Sequence, residues 1–322
     1  MPEGPHVIVT GGAGFIGSHL VERLLAAPDS PRVTVIDDLS TGCEENLLAA
    51  AGNPRLHFVR RKISECVELD AWMEGASFVY HLAAAVGVVY VLQRTSASLH
   101  NNLRESEILL ASAARHRVPV LLASSSEVYG KSRRDTFSED DDLVIGPPTI
   151  RRWSYACSKL MVEFLALSLA NESGVSVAIA RLFNTVGPRQ TGKYGMVLPR
   201  FIEAALSGEP LRVFGDGRQS RCFCWVGDVV EALVRLQSYP AAHGTIVNIG
   251  GTTPISILEL ARLVKQRLNA RSEIVLVPYD KAYGEGFEDL PHRRPDVSRL
   301  LRLTGFKPET PLEEIIDRMT RG

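Results

Sequence analysis

The chain has 322 residues, enough for one large domain or two modest ones, and its 45% hydrophobic content supports a substantial buried core. Lysine and arginine number 36 against 37 aspartate and glutamate, so overall charge gives no reason to expect a nucleic-acid or anionic-membrane partner and leaves open only a locally basic pocket. The five cysteines, Cys43, Cys66, Cys157, Cys222 and Cys224, are scattered and odd in number, a pattern expected of reduced thiols in a cytoplasmic protein rather than of a disulfide framework.

Met1 to His6 lacks the basic and apolar regions of a signal peptide, so export is not expected. The apolar run His6 to Thr10 then predicts a strand. It passes through Gly11-Gly12-Ala13-Gly14-Phe15-Ile16-Gly17 into a helical pattern from Ser18 to Leu25. Strand, glycine turn and helix in this order suit a dinucleotide: Gly11, Gly14 and Gly17 allow a tight turn, a close approach to pyrophosphate and close packing of helix on strand. A second strand, Arg32 to Ile36, ends in Asp37-Asp38. Asp37 lies 20 residues after Gly17, the offset at which an acid takes ribose hydroxyls, and in the stretch to Gly42 no arginine replaces it, which favours NAD over NADP.

Further strands are predicted at Leu56 to Val59, Ser77 to Leu82, Val118 to Ala123 and Val175 to Ala180, with long helices at Ser98 to Arg117 and Trp153 to Glu172. The most apolar stretch, Phe78 to Leu92, is broken by His81 and Gly87 and falls short of the about 20 residues that span a bilayer, so it reads as strand plus loop and no membrane partner is expected. Alternating strands and helices argue for an α/β fold with a parallel sheet covered on both faces, whose active site lies beyond the carboxyl ends of the strands. The acidic run Glu139 to Asp142 is expected in a solvated loop. If Arg221 to Trp225 is a strand, Cys222 and Cys224 share a face, but no second Cys/His pair lies nearby, and no metal is expected.

After Pro188 the alternation decays. We therefore expect a dinucleotide-binding domain over 1–188 with a returning segment at about 226–255, and a smaller substrate-binding lobe from 189–225 and 256–322. Across the crevice from the second long helix lies Ser124-Ser125-Ser126-Glu127. That helix carries Tyr155 and Lys159, four residues apart and so on one face, where an ammonium can favour the phenolate of a general base.

In this order, Gly11 to Gly17, Asp37, Ser125, Tyr155 and Lys159 resemble the extended short-chain dehydrogenase/reductase family, whose members modify sugars attached to nucleoside diphosphates. Asn102 matches a helix asparagine of that family, and Arg181 to Arg189 and Gly215 to Arg221 resemble its nucleotide-diphosphate-binding segments. The resemblance covers essentially the whole chain and implies a Rossmann-type doubly wound sheet. It places NAD against Gly11, Gly14, Phe15, Ile16, Gly17, Asp37, Asp38, Ser40, Thr41, Gly42, Ile63, Leu82, Ala83, Ala84, Asn102, Tyr155 and Lys159. The catalytic residues it implies are Ser125, Glu127, Tyr155 and Lys159, and a UDP-sugar would meet Ser126, Arg152, Asn184, Thr185, Arg189, Val197, Arg221 and Arg293. It also implies a homodimer through the two long helices.

Two positions depart from the family pattern. Lys62 stands where an aspartate usually holds the adenine amine, and Val88-Val89-Tyr90 lacks an arginine that some uronate 4-epimerases place there. Ser126-Glu127, in place of the Asp-Glu pair of 4,6-dehydratases, resembles the UDP-glucuronate decarboxylases. Arg152-Trp153-Ser154-Tyr155, the stretch Tyr283 to Asp289 and Arg293 are similar to a bacterial decarboxylase of aminoarabinose synthesis. The resemblance thus implies NAD-dependent decarboxylation of UDP-glucuronic acid through a 4-keto intermediate. Its alternative is a UDP-sugar 4-epimerase; a 4,6-dehydratase or a non-catalytic NAD-binding protein fits less well.

Overall fold

The structure, a computed structural model, describes residues 4–29, 31–85, 95–192, 196–239, 244–279, 281, 290 and 292–320. The apolar runs His6–Thr10 (β1), Arg32–Ile36 (β2), Leu56–Val59 (β3), Phe78–His81 (β4), Val120–Ser125 (β5), Val177–Leu182 (β6) and Thr245–Ile249 (β11) form one seven-stranded sheet. Its order is β11-β6-β5-β4-β1-β2-β3, and every pairing is parallel.

Successive side chains of a strand point to opposite faces, and both faces are covered. Val7, Val9, Val33 and Val35 pack with Leu20 and Leu24 of α1 (Phe15–Leu25), with Leu233 and Leu236 of α6 (Val226–Gln237), and with Leu300 of α8 (Ser298–Thr304). Ile8, Ile36, Val79, Val120 and Leu122 pack on the other side against Met73 of α2 (Leu69–Glu74), Leu109 and Leu110 of α3 (Thr95–His116), and Val162 and Ala166 of α4 (Trp153–Ser173). The left-handed Gly174, at φ 71°, ends α4 just before β6.

The rest forms a second core. The two short strands Thr185–Val186 (β7) and Cys224–Trp225 (β10) pair at the junction. Beyond them, Leu211–Phe214 (β8) pairs in parallel with Ile274–Val277 (β13), and Ser220–Cys222 (β9) pairs antiparallel with Pro254–Ser256 (β12). Leu198 and Phe201 of α5 (Val197–Ser207), Leu260 and Val264 of α7 (Ile257–Arg267), and Ile315 and Ile316 of α9 (Leu312–Thr320) bury against these strands. Sequence alone drew the lobe as 189–225 and 256–322; within the second of these ranges α8 packs on α6 and β11 of the sheet domain, because Leu300 completes the same core as Leu233 and Leu236.

Two local expectations change. Chain pairing breaks at Phe223, so Cys222 and Cys224 serve different two-stranded sheets; both thiols are buried, which pushes Cys222 up to about 11. The acidic run is not a solvated loop throughout: Glu139 is buried, and its Oε1 accepts the Asn248 N–H at 2.8 Å. A charge run read without its tertiary partners looks solvated, and here Asn248 and Arg299 supply those partners. Among the described residues no helix is long and apolar enough to cross a membrane, and no cluster of His, Cys, Asp and Glu could hold a metal ion.

Candidate active site

Strand order reverses between β1 and β4, which opens a crevice at the carboxyl ends of the strands. Gly11 leaves β1 at φ 72°, and a Cβ there would lie 2.7 Å from the Ala83 nitrogen on the neighbouring strand end, so only glycine fits. At Gly17 a Cβ would come within 2.1 Å of the Gly11 carbonyl oxygen, which sets how closely α1 packs on the turn. The first-turn amides of α1 have no intrahelical acceptor, and Gly14, Phe15, Ile16 and Gly17 line the crevice, a ready anion site. Asp37 accepts the Ala13 N–H and the Leu39 N–H, both at 2.9 Å, and so braces the turn with the carboxylate that faces the crevice. Burial raises its pKa, an effect opposed by those backbone donors. Backbone donors for a pyrophosphate and a carboxylate for ribose hydroxyls make these residues fit a dinucleotide.

The crevice runs into one cavity of about 740 Å³, lined by all the residues the sequence proposed, from the glycine turn through Ser40, Thr41, Gly42, Ile63, Leu82 and Ala84 to Asn184, Thr185, Arg189, Val197, Arg221 and Arg293. Asn102 spends both ends of its amide inside the fold: Oδ1 accepts the Ala85 N–H at 2.8 Å, and Nδ2 donates to Ser158 Oγ at 3.2 Å. It therefore ties the end of β4 to α4. The segments Val88 to Tyr90 and Tyr283 to Asp289, singled out in the sequence, lie outside the described residues.

Tyr155 and Lys159 share the inner face of α4, and Tyr155 hydrogen-bonds Ser125 at the end of β5. Burial raises the phenol pKa strongly, the negative charge of Glu127 raises it further, and the Ser125 hydrogen bond opposes both. Lys159 Nζ donates to the Ala123 carbonyl at 2.8 Å. The expected depression of Tyr155 by that ammonium is thus not what governs the phenol in this state. Burial lowers Lys159 to about 8, with Glu163 one turn further along α4 acting in the opposite sense. Glu163 is itself held by Ser124 and by the Arg181 guanidinium, at 3.0 and 2.8 Å.

Two guanidiniums meet Glu127, and a third bears on it from further off. Arg293 donates directly to its carboxylate, Arg152 Nη2 lies 3.5 Å away, and Arg221 acts on it through space. Arg152 and Arg293 are 6% and 7% exposed, so neither is the surface residue that an arginine usually is. Burial would raise the Glu127 pKa, but the three arginines outweigh it and hold the carboxyl below its ordinary range. Arg189 instead sits against Glu22 of α1, on the cofactor side of the cavity.

Of the outer wall the sequence singled out only Gln219, within the segment Gly215 to Arg221, and missed the rest. Arg200 of α5 lies over the Phe214 ring at 4.0 Å, and Met196, Gln219, Ile257 and Tyr279 line the same end. Phe214 directly precedes the Gly215-Asp216-Gly217 turn, and that turn was the available signal for it. The buried Thr185 Oγ1 and Gln219 Oε1 have no hydrogen-bond partner among the described residues.

One cavity thus joins a dinucleotide crevice to an arginine-rich end beside Tyr155, an arrangement that suits an enzyme holding a dinucleotide and a second, anionic ligand together. The profile of the NAD dependent epimerase/dehydratase family matches residues 7–250, and the chain belongs to that family. It is 39% identical to the UDP-N-acetyl-alpha-D-glucosaminuronate decarboxylase of Bacillus cytotoxicus over 95% of this chain and 94% of that relative. It is 34% identical to UDP-glucuronic acid decarboxylase 2 of Arabidopsis thaliana over 99% of this chain and 68% of that one. Among solved structures, the UDP-glucuronic acid 4-epimerase of Bacillus cereus in complex with UDP-glucuronic acid and NAD superposes with a TM-score of 0.88 at 26% identity, covering 98% of each chain.

Proposed function

We propose that the protein is an NAD-dependent decarboxylase of UDP-hexuronic acids that converts UDP-glucuronic acid through a 4-keto intermediate to UDP-xylose, to the UDP-4-keto-pentose, or to both. The observation that carries this reading is the meeting of Arg152 and Arg293 at Glu127, in the cavity that Arg221, Ser125 and Tyr155 also line: buried guanidiniums suit a substrate carboxylate and diphosphate, and they share that cavity with the donors that would meet a sugar oxygen. The decarboxylase relatives support it across nearly the whole chain.

NAD, when bound, would supply the acceptor for the hydride of sugar C4, and that hydride would return to the sugar where UDP-xylose is the product and stay on the reduced cofactor where the 4-keto-pentose is. Tyr155 takes the proton of the C4 hydroxyl as its phenolate, the form that burial and Glu127 make scarce and that the Ser125 hydrogen bond favours, and becomes the phenol in doing so. The C6 carboxylate is then that of a β-keto acid. The C5–C6 bond breaks, CO₂ leaves, and the electron pair is delocalised onto the C4 oxygen, where Ser125 and the protonated phenol of Tyr155 stabilise the enolate. The fold favours that phenol, since burial and Glu127 both disfavour ionisation. A proton reaches C5 from water or from an acid that Glu127 positions. Glu127 itself, held ionised by its arginines, orients those guanidiniums rather than donating the proton.

Two finer readings are kept apart by experiment. The Bacillus cytotoxicus relative is named for a substrate with an acetamido group at C2, and the chemistry at C4 to C6 is the same for both. The Bacillus cereus neighbour favours a second reading, 4-epimerisation. Purified protein with NAD should be incubated with UDP-glucuronate and, separately, with its 2-acetamido counterpart, and the nucleotide products weighed. Loss of CO₂ from either supports decarboxylation and the faster substrate identifies the C2 group; an isomer of unchanged mass replaces the reading with epimerisation.

The enzyme acts as a cytoplasmic homodimer in this reading. Support for the dimer comes from α4, which exposes Met161 and Phe164 one turn apart on its outer face, beside α3.

A further inference from the structure

In the sheet, β3 lies beyond β2 on the side away from β1, so the turn after β3 lies past Asp37 from the glycine turn. The cavity wall there includes Ile36, Ile63, Asn101 and Glu105, together with Arg61 and Lys62. With a pyrophosphate on α1 and a ribose on Asp37, the base of the cofactor faces this wall. Adenine presents an exocyclic amine, a donor that needs an acceptor. The side chains of Arg61 and Lys62 can only donate, and the amide of neighbouring Asn102 is committed to Ala85 and Ser158.

Glu105 has a different setting. It projects from α3, and Ser64, just after Ile63, fixes both of its oxygens: Ser64 N–H donates to Oε2 at 2.8 Å and Ser64 Oγ to Oε1 at 2.7 Å. Two bonds orient the carboxylate, while a carboxylate has about four lone-pair sites, so acceptor capacity remains on both oxygens. We propose that Glu105, presented by Ser64, reads the adenine of the cofactor by accepting its exocyclic amine. The inference rests on NAD as the bound dinucleotide. It assigns base selection to a helix residue 41 positions away in sequence from its partner serine.

The test compares equilibrium dissociation constants, measured by calorimetry without sugar substrate, for NAD and for nicotinamide hypoxanthine dinucleotide, in which a carbonyl oxygen replaces the amine. A carboxylate facing that oxygen is repelled, so the wild-type protein should bind NAD at least about tenfold more tightly, the effect of one charge-assisted hydrogen bond. Glu105→Ala should bring the ratio close to one, and Glu105→Gln, whose amide can donate to the carbonyl, should bring it to one or reverse it. Ser64→Ala should reduce it. A role confined to tying α3 to the turn would weaken both ligands equally and leave the ratio intact. Equal wild-type affinities, or a ratio unchanged in Glu105→Gln and Glu105→Ala, would overturn the proposal. Failure of the wild-type protein to bind NAD at all would instead remove its premise.

Discussion

Glu127 controls the site through charge. Its carboxylate draws Arg152 and Arg293 together and at the same time raises the pKa of Tyr155. Glu127→Gln should therefore slow CO₂ release by about tenfold or more while leaving NAD affinity unchanged, and should shift the pH profile of C4 oxidation to lower pH, because the charge that holds the phenol up is gone. Unchanged turnover would take Glu127 out of the mechanism. Lys159 gives a stability test. Its folded pKa is lowered from 10.5 to about 8, so between those values the unfolded chain binds more protons, and the contribution of this residue to stability rises with pH. Below about 8 the buried ammonium is a cost. Urea denaturation of wild type against Lys159→Met should show the wild type gaining relative stability from pH 8 to 10.5, and a flat difference would contradict the assignment.

At the scale of elements, the glycine turn and α4 do different work. Gly11→Ala would force a β-carbon into a left-handed residue against the backbone of Ala83, and should abolish measurable NAD binding by calorimetry. Within α4, Glu163 joins Ser124 and Arg181 behind the catalytic face, with both members of the ion pair 2% exposed. Glu163→Ala strands the Arg181 charge and should cost about 3–5 kcal/mol in denaturant unfolding. On the outer face, Phe164→Asp should convert a sedimenting dimer to a monomer if α3 and α4 form the interface. Much of this was legible because it is local: the glycine turn, Asp37, and the Tyr155–Lys159 pair are each set by spacing along one or two elements. Glu139 and Glu105 were not legible, because Asn248 and Ser64 reach them only across the fold. For the same reason the sequence put Lys159 at the phenol, whereas burial turns its ammonium to the Ala123 carbonyl.

At the scale of the whole molecule, the sheet domain supplies Ser125, Tyr155 and the dinucleotide crevice, and the second core brings Arg221 into the same cavity, with Arg293 from the segment that leads back to α8. Neither half holds the complete set, and the second core was legible only as a decay of alternation after Pro188, because its short β7 to β10 and β8 to β13 pairings carry little periodicity of their own. In the proposed reaction, oxidation at C4 is followed by loss of C6. UDP-glucuronate labelled with heavy carbon at C6 and deuterium at C4 tests both at once. The carbon label should leave as CO₂, and in whatever UDP-xylose is formed deuterium should be back on C4; carbon label retained in the nucleotide product would rule decarboxylation out.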